Sequence, residues 1–284
     1  MARYTFTGGI HPDDGKALSK DKPIREYLPQ GDLVYPMSQH IGAPAKPIVS
    51  KGDHVLRGQR IAEAGGFVSA HIYSTVSGTV KAIEPRRIVT GDLVESIIIE
   101  NDNEYTEVEY PKPVPLDEMS RDEIIKCVQD GGVVGMGGAG FPTHVKLSPK
   151  EPDKIDYCIV NGAECEPYLT SDCRRMLEEP EKIVEGLRCM LALFDRARGI
   201  IAIEDNKKDC ISLIKGLVGD DPRIFVKALK TKYPQGAERQ LIYATTGRAI
   251  NSDMLPADAG CIVDNVDTVV AIYNAVINRQ PLME

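Results

Sequence analysis

Residues 131–143 read Gly-Gly-Val-Val-Gly-Met-Gly-Gly-Ala-Gly-Phe-Pro-Thr, with six glycines in ten positions. Backbone N–H groups without Cβ shielding suit close approach to a phosphate or a flat ring. Gly135, Gly137 and Gly140 formally satisfy G-x-G-x-x-G, but that fingerprint needs a solid strand before it and a helix opening directly out of it. Here only Val133-Val134 precede, and a helix is expected to end just upstream. A flexible turn between helix and strand is the other reading; the entropy of ordering so long a glycine loop without a partner favours binding. A second candidate is Asn161-Gly162-Ala163-Glu164-Cys165-Glu166-Pro167, directly after the apolar run Tyr157–Val160. Its carboxylates and amide could accept hydrogen bonds from a ribose or a nicotinamide, or hold the proton that accompanies a hydride. Solvated loop glutamates are an equally consistent reading.

These loops need elements to hold them. Residues 30–110 alternate short apolar runs with turn signals and show little helical period, which predicts a β-domain. Within Lys46–Glu84, strands are separated by Gly52-Asp53, Gly58-Gln59 and Ser77-Gly78 turns. This order resembles the barrel-sandwich hybrid of lipoyl and biotinyl carriers. The expected hairpin tip, residues 65–74, holds no lysine to modify, so a structural sandwich is expected rather than a swinging arm. Prolines 111, 113 and 115 break both periods and mark a boundary. Ser120-Arg121-Asp122-Glu123 then fits a capping box opening a helix to about Asp130.

Beyond it, apolar strands alternate with helical patterns. Strands are expected at Tyr157–Val160, Gly199–Ile203 and Arg223–Leu229; helices are expected after Pro180, over Lys207–Val218 and over Val266–Ile277. This is the rhythm of a parallel sheet. The expected fold is therefore a two-domain α+β chain: an all-β barrel-sandwich hybrid over residues 1–112, then a Rossmann-like α/β domain with a mainly parallel sheet over residues 113–284.

Composition excludes several classes. The 284 residues carry 34 Lys and Arg against 42 Asp and Glu, net charge -8, with no basic block, so nucleic acid is not an expected partner. No stretch approaches 18 apolar residues and the N-terminus lacks a signal-peptide core, so neither a membrane span nor secretion by itself is expected. The seven cysteines form no C-x-x-C, which suits buried thiols in a reducing compartment rather than a zinc ribbon, a disulfide scaffold or an iron-sulfur site. No metal ligand set is expected.

Five segments in order carry a family resemblance: Phe6-Thr7-Gly8-Gly9-Ile10-His11-Pro12, Gln39 to Pro44, Gly137 to Thr143, Asn161 to Pro167, and Tyr233-Pro234-Gln235-Gly236-Ala237-Glu238. Together the chain resembles the RnfC component of Rnf electron-transport complexes, related to the NADH-binding flavoprotein subunit of respiratory complex I. The resemblance implies FMN held in the α/β domain, hydride exchange with NAD(H) as substrate, and electrons passed singly to iron-sulfur clusters linking NAD to ferredoxin, with ion pumping in membrane subunits. It implies cofactor contacts from Gly135, Gly137, Gly138, Gly140, Phe141 and Lys146; from Asn161, Glu164 and Glu166; from Tyr233, Gly236 and Glu238; and from Asn265 and Thr268. Phe141 is the expected stacking surface for the dinucleotide, and Glu164 and Glu166 the expected acceptors for it.

The sequence also departs from complex I: Met136 stands in place of arginine, Ala163 of aspartate, Ala237 of glutamate and Asp264 of asparagine, and the aromatic after the lysine is missing. The family continues into a β-grasp domain and a ferredoxin-like region with two four-cysteine 4Fe-4S motifs. These are not reached by Glu284, so a fragment or a shortened relative is expected. Implied partners are the other Rnf subunits and ferredoxin, placing the chain on the cytoplasmic face of the cell membrane through those partners. Two other readings stand beside this one: a docking module without catalysis, and a soluble NADH-dependent electron donor to a reductase such as proline reductase.

Overall fold

The computed structural model describes residues 4–283. They divide into two compact units. One holds the residues up to Arg25 with Leu147–Tyr273, the other Glu26–Lys146 with residues from Asn274 onward. Compactness therefore does not follow a single cut at 112. The N-terminal segment joins the parallel-sheet unit because Tyr4 bridges to Leu229 and Ile10 to Tyr233. The glycine run is grouped with the β-domain.

In the β-domain, β1 (Leu33–Pro36), β2 (Lys46–Pro47), β3 (His54–Val55), β4 (Arg60–Glu63), β5 (Ile72–Tyr73), β6 (Gly78–Arg87) and β7 (Leu93–Asn101) form two antiparallel sheets, ordered β1-β7-β6-β3 and β2-β4-β5. Their inner faces bury Tyr35, Val55, Ile61, Val76, Val80, Ile97 and Ile99 in one core. The lysine-free segment between β4 and β5 is pinned by Ser69, whose Oγ donates to Ala43 O (2.8 Å) and accepts from Gly65 N (2.9 Å). The same unit holds α1 (Arg121–Asp130). There Ser120 Oγ accepts from Glu123 N, and the Glu123 carboxylate accepts from Ser120 N at 2.7 Å, the expected capping box. A single turn, α2 (Thr143–Lys146), follows the glycine loop.

The other unit alternates β8 (Tyr157–Gly162), α3 (Ser171–Glu178), α4 (Pro180–Leu191), β9 (Arg198–Glu204), α5 (Lys208–Val218), β10 (Ile224–Leu229), α6 (Glu238–Thr246) and β11 (Cys261–Asn265), and α7 (Val266–Val276) leads on from β11. The sheet order is β10-β9-β8-β11, and every pair is parallel. Residues 199–204 are buried without interruption because both sheet faces are covered. Ile200 and Ala202 pack with Leu241 and Ile242 of α6, while Gly199 lies against Leu187 and Leu191 of α4. Six of the seven cysteines are buried. No helix among the described residues is long and apolar enough to cross a membrane.

Candidate functional site

In open parallel sheets the carboxyl ends of the strands gather ligands, because several loops converge there. The register places Asn265 of β11 directly beside Asn161 of β8 at that edge. Asn161 Nδ2 donates to Gly236 O (2.8 Å) and its Oδ1 accepts from Ala163 N (3.1 Å). Gly236 N in turn donates to Cys165 Sγ (3.3 Å). A Cβ on Gly236 would lie 2.2 Å from Ala163 O, so only glycine permits this approach. One asparagine and one glycine thus tie the 161–166 loop to the 233–238 turn. Asn265 does the same for two helices. Its Nδ2 donates to both Asp172 carboxylate oxygens (3.2 and 3.0 Å), and its Oδ1 accepts from Asp267 N (2.9 Å) to cap α7. Thr268 is buried in the first turn of α7.

Beneath these loops lies a buried charge cluster. Glu164, 6% exposed, accepts from Asp172 N (2.9 Å), and its other oxygen is 3.8 Å from Lys16 Nζ. Lys207 Nζ reaches Glu204 Oε2 (3.3 Å) and Glu164 O (3.4 Å). Burial, aided by the neighbouring Asp172, pushes the Glu164 carboxyl up to about 7 against the opposing pull of Lys207 and Lys16. Asp172 is pushed up to about 6, again by burial, with the Asn265 hydrogen bond opposing and Asp267 adding. Burial also raises Glu204 and lowers Lys16. A carboxyl balanced near neutral pH can hold or release a proton.

Glu164 faces inward onto α3 and Lys16. Glu166 and Glu238 are exposed, and Tyr233, Gly236 and Asn265 are half-buried. Lys16, Asp172, Glu204, Lys207 and the fully buried Gln235 are members of this neighbourhood that sequence reasoning missed. Only Glu204 carried a signal, as an acid at the carboxyl end of an apolar strand with Lys207 three residues on. At the opposite, amino-terminal edge of the sheet, Lys154, Asp156, Arg196 and Arg248 line a surface depression. Asp156 pairs there with Arg248 (2.6 Å) and Arg196 (3.8 Å), so the wall meets its own charges.

The glycine-loop residues belong to the other unit. The loop is closed at its base by an antiparallel bridge between Val134 and Pro142, with Gly135 N donating to Phe141 O (2.9 Å) and Thr143 N to Val133 O (2.9 Å). It is therefore a closed loop rather than the strand-to-helix turn of the dinucleotide fingerprint, and the helix after it has four residues. Ile41 N donates to Gly140 O (3.2 Å), so the Gln39–Pro44 segment braces one side. Gly137, Gly138 and Ala139 are exposed, a Cβ on Gly138 would meet nothing within 4 Å, and Phe141 and Lys146 are half-buried. Unshielded backbone at the tip of a closed loop fits an anionic phosphate.

A barrel-sandwich hybrid followed by a four-stranded parallel sheet, with amide and carboxylate groups at its carboxyl edge, defines the class: a sandwich joined to an α/β nucleotide-type domain. The chain belongs to the family of the Nuo51 FMN-binding domain, whose model matches residues 128–274, and the model of the RnfC barrel sandwich hybrid domain matches residues 4–104. It is 47% identical over 279 residues to the C subunit of the Na(+)-translocating ferredoxin:NAD(+) oxidoreductase complex of Acetobacterium woodii, covering 98% of this chain and 63% of that relative. It is 44% identical over 282 residues to the C subunit of the proton-translocating ferredoxin:NAD(+) oxidoreductase complex of Clostridium ljungdahlii, covering 99% and 61%. The chain thus spans about three fifths of the length of these relatives. Among solved structures, an NAD+-reducing NiFe hydrogenase in the air-oxidized state aligns over 61% of this chain and 36% of its own, at TM-score 0.48 and 22% identity.

Proposed function

We propose that this chain binds FMN noncovalently and exchanges a hydride with NAD(H), as the input module of an Rnf-type ferredoxin:NAD oxidoreductase. The observation that carries the reading is the sheet register. Asn161 and Asn265 stand side by side where β8 and β11 end, inside the segment matched by the FMN-binding family model. FMN, when bound, accepts the hydride of NADH and releases its electrons singly.

The chain's own residues bind, orient and balance charge. Asn161 and Gly236 fix the 161–166 loop against the 233–238 turn, so Tyr233, Gly236 and Glu238 keep one orientation. Asn265 holds the start of α7 and Thr268 with it. Glu166, the outward carboxylate, is the proposed acceptor for the dinucleotide, and Glu164 keeps a proton at its buried carboxyl close to neutral pH. The exposed N–H groups of Gly137 and Gly138, with Gly135, Gly140 and Lys146 around them, are the proposed phosphate contacts, and Phe141 the proposed stacking surface. In the complex we propose that electrons continue to ferredoxin through 4Fe-4S clusters outside this chain. Other Rnf subunits would hold it at the cytoplasmic face of the membrane.

The test is direct. FMN added to the flavin-free chain should lose fluorescence in a saturable way and raise the melting temperature, and anaerobic NADH should then bleach its yellow band. No fluorescence change and no thermal shift would sink the binding claim; binding without bleaching would leave a flavin-holding docking module.

A further inference from the structure

The segment Phe6-Thr7-Gly8-Gly9-Ile10-His11-Pro12 takes part in none of the steps above, yet it reaches the sheet edge. Ile10 and Tyr233 exchange both backbone hydrogen bonds at 2.9 Å. Gly9, at φ +86°, lets the strands close: a Cβ there would lie 2.8 Å from Tyr233 O. Lys232 Nζ sits 3.8 Å over the Phe6 ring and donates to Gly8 O (2.8 Å) and Phe6 O. Six residues on, the chain meets the acidic loop. Tyr168 N donates to Asp14 O (2.7 Å), and Lys16 Nζ donates to Glu166 O (2.9 Å) and Leu169 O (2.5 Å) while lying 3.8 Å from Glu164 Oε2.

Lys16 has a side chain only 9% exposed, and lysines are rarely so buried unless each donor is met. Here the partners are two loop carbonyls and the one loop carboxylate that faces inward. A single ammonium therefore ties the backbone at residues 166 and 169 together beside the Glu164 carboxylate, which is also held inward by Asp172 N (2.9 Å). We propose that Lys16 is a positioning residue for the acidic loop, and that residues 6–16 form a strap holding both this loop and the 233–238 turn in the geometry that takes the flavin nucleotide. The proposal rests on the FMN reading above.

The test uses the whole chain as Lys16→Met and Lys16→Arg, with FMN affinity from fluorescence quenching and amide hydrogen exchange by mass spectrometry. Loss of a charge-assisted contact predicts FMN binding weaker by about tenfold or more in Lys16→Met, with Lys16→Arg within about threefold of the parent. Exchange should speed up over residues 161–170 in Lys16→Met, while residues 199–204 of β9 stay protected. Affinity within twofold of the parent in Lys16→Met overturns the proposal, as does a Lys16→Arg variant as weak as Lys16→Met. If the parent itself binds no FMN, the FMN reading fails, and exchange alone decides the strap: faster exchange over 161–170 supports it, unchanged exchange overturns it. Should Lys16→Met not fold, Lys232→Met loosens the other end. Faster exchange over residues 233–238 supports the strap there, and unchanged exchange refutes it.

Discussion

Replacing Glu164 by Gln isolates the buried carboxyl at the sheet edge. Glutamine keeps an oxygen for Asp172 N but removes the titration. In the folded chain the Glu164 carboxyl sits at about 7, against an ordinary 4.5, so between these values the folded state binds more protons than the unfolded. Stability must then fall as pH rises: the penalty is absent below about 4.5, grows through the window and is complete above about 7. At about 1.4 kcal/mol per unit the ceiling is about 3 kcal/mol. Asp172, at about 6 against 3.8, adds a penalty of the same sign at lower pH, and the variant keeps it. The shift to about 7 is already net of the attraction of Lys16 and Lys207 for the ionised carboxylate. The expected net result is a stability curve flatter by about 1 to 3 kcal/mol between pH 4.5 and 8 in Glu164→Gln, measured by urea unfolding at constant ionic strength. The Glu164 carboxyl carbon in the parent should titrate with a midpoint near 7 in isotope-edited NMR. Parallel stability curves, or a midpoint near 4.5, would refute the burial argument.

Glu166→Gln, which alters an exposed carboxylate, should raise KM for NADH by about ten- to a hundredfold and leave FMN content intact; an unchanged KM removes Glu166 from the dinucleotide site. Gly236→Ala forces a Cβ to within 2.2 Å of Ala163 O and should cost about 1 to 3 kcal/mol together with FMN affinity. Gly138→Ala meets nothing and should stay within about 0.5 kcal/mol of the parent in urea unfolding, the measurement that also reads the Gly236→Ala loss. Ser120→Ala breaks the capping box and should lower stability by about 1 kcal/mol in urea unfolding. Intact mass spectrometry of protein from its native cell should find no lipoyl or biotinyl increment on the β-domain.

What the sequence made legible follows the physics of each element. β9, α4 and α5 announced themselves because a buried parallel strand is a continuous apolar run and its covering helices carry a full apolar stripe. α3 did not: among its eight residues only Cys173 and Met176 are buried, and its first turn is held from outside by the Glu164 carboxylate accepting from Asp172 N. β11 was missed because Cys261-Ile262-Val263 is a short run ending in Asp264-Asn265, whose polar side chains look like a loop until the strand pairs with β8. The site residues divide in the same way. Asn161 and Gly236 stood out by residue type and by resemblance, but their task, tying two loops together, depends on contacts 75 residues apart in sequence. Lys16 lies about 150 residues from the carbonyls it binds, so no local pattern could distinguish it from an exposed lysine. The orientation of Glu164 rests on Asp172 N, eight residues on, as well as on this distant lysine. Two glutamates at i and i+2 are equivalent as sequence; Glu164 turns inward where its carboxylate accepts from Asp172 N (2.9 Å) and lies 3.8 Å from Lys16 Nζ, burial makes it the proton holder, and Glu166 is left facing solvent.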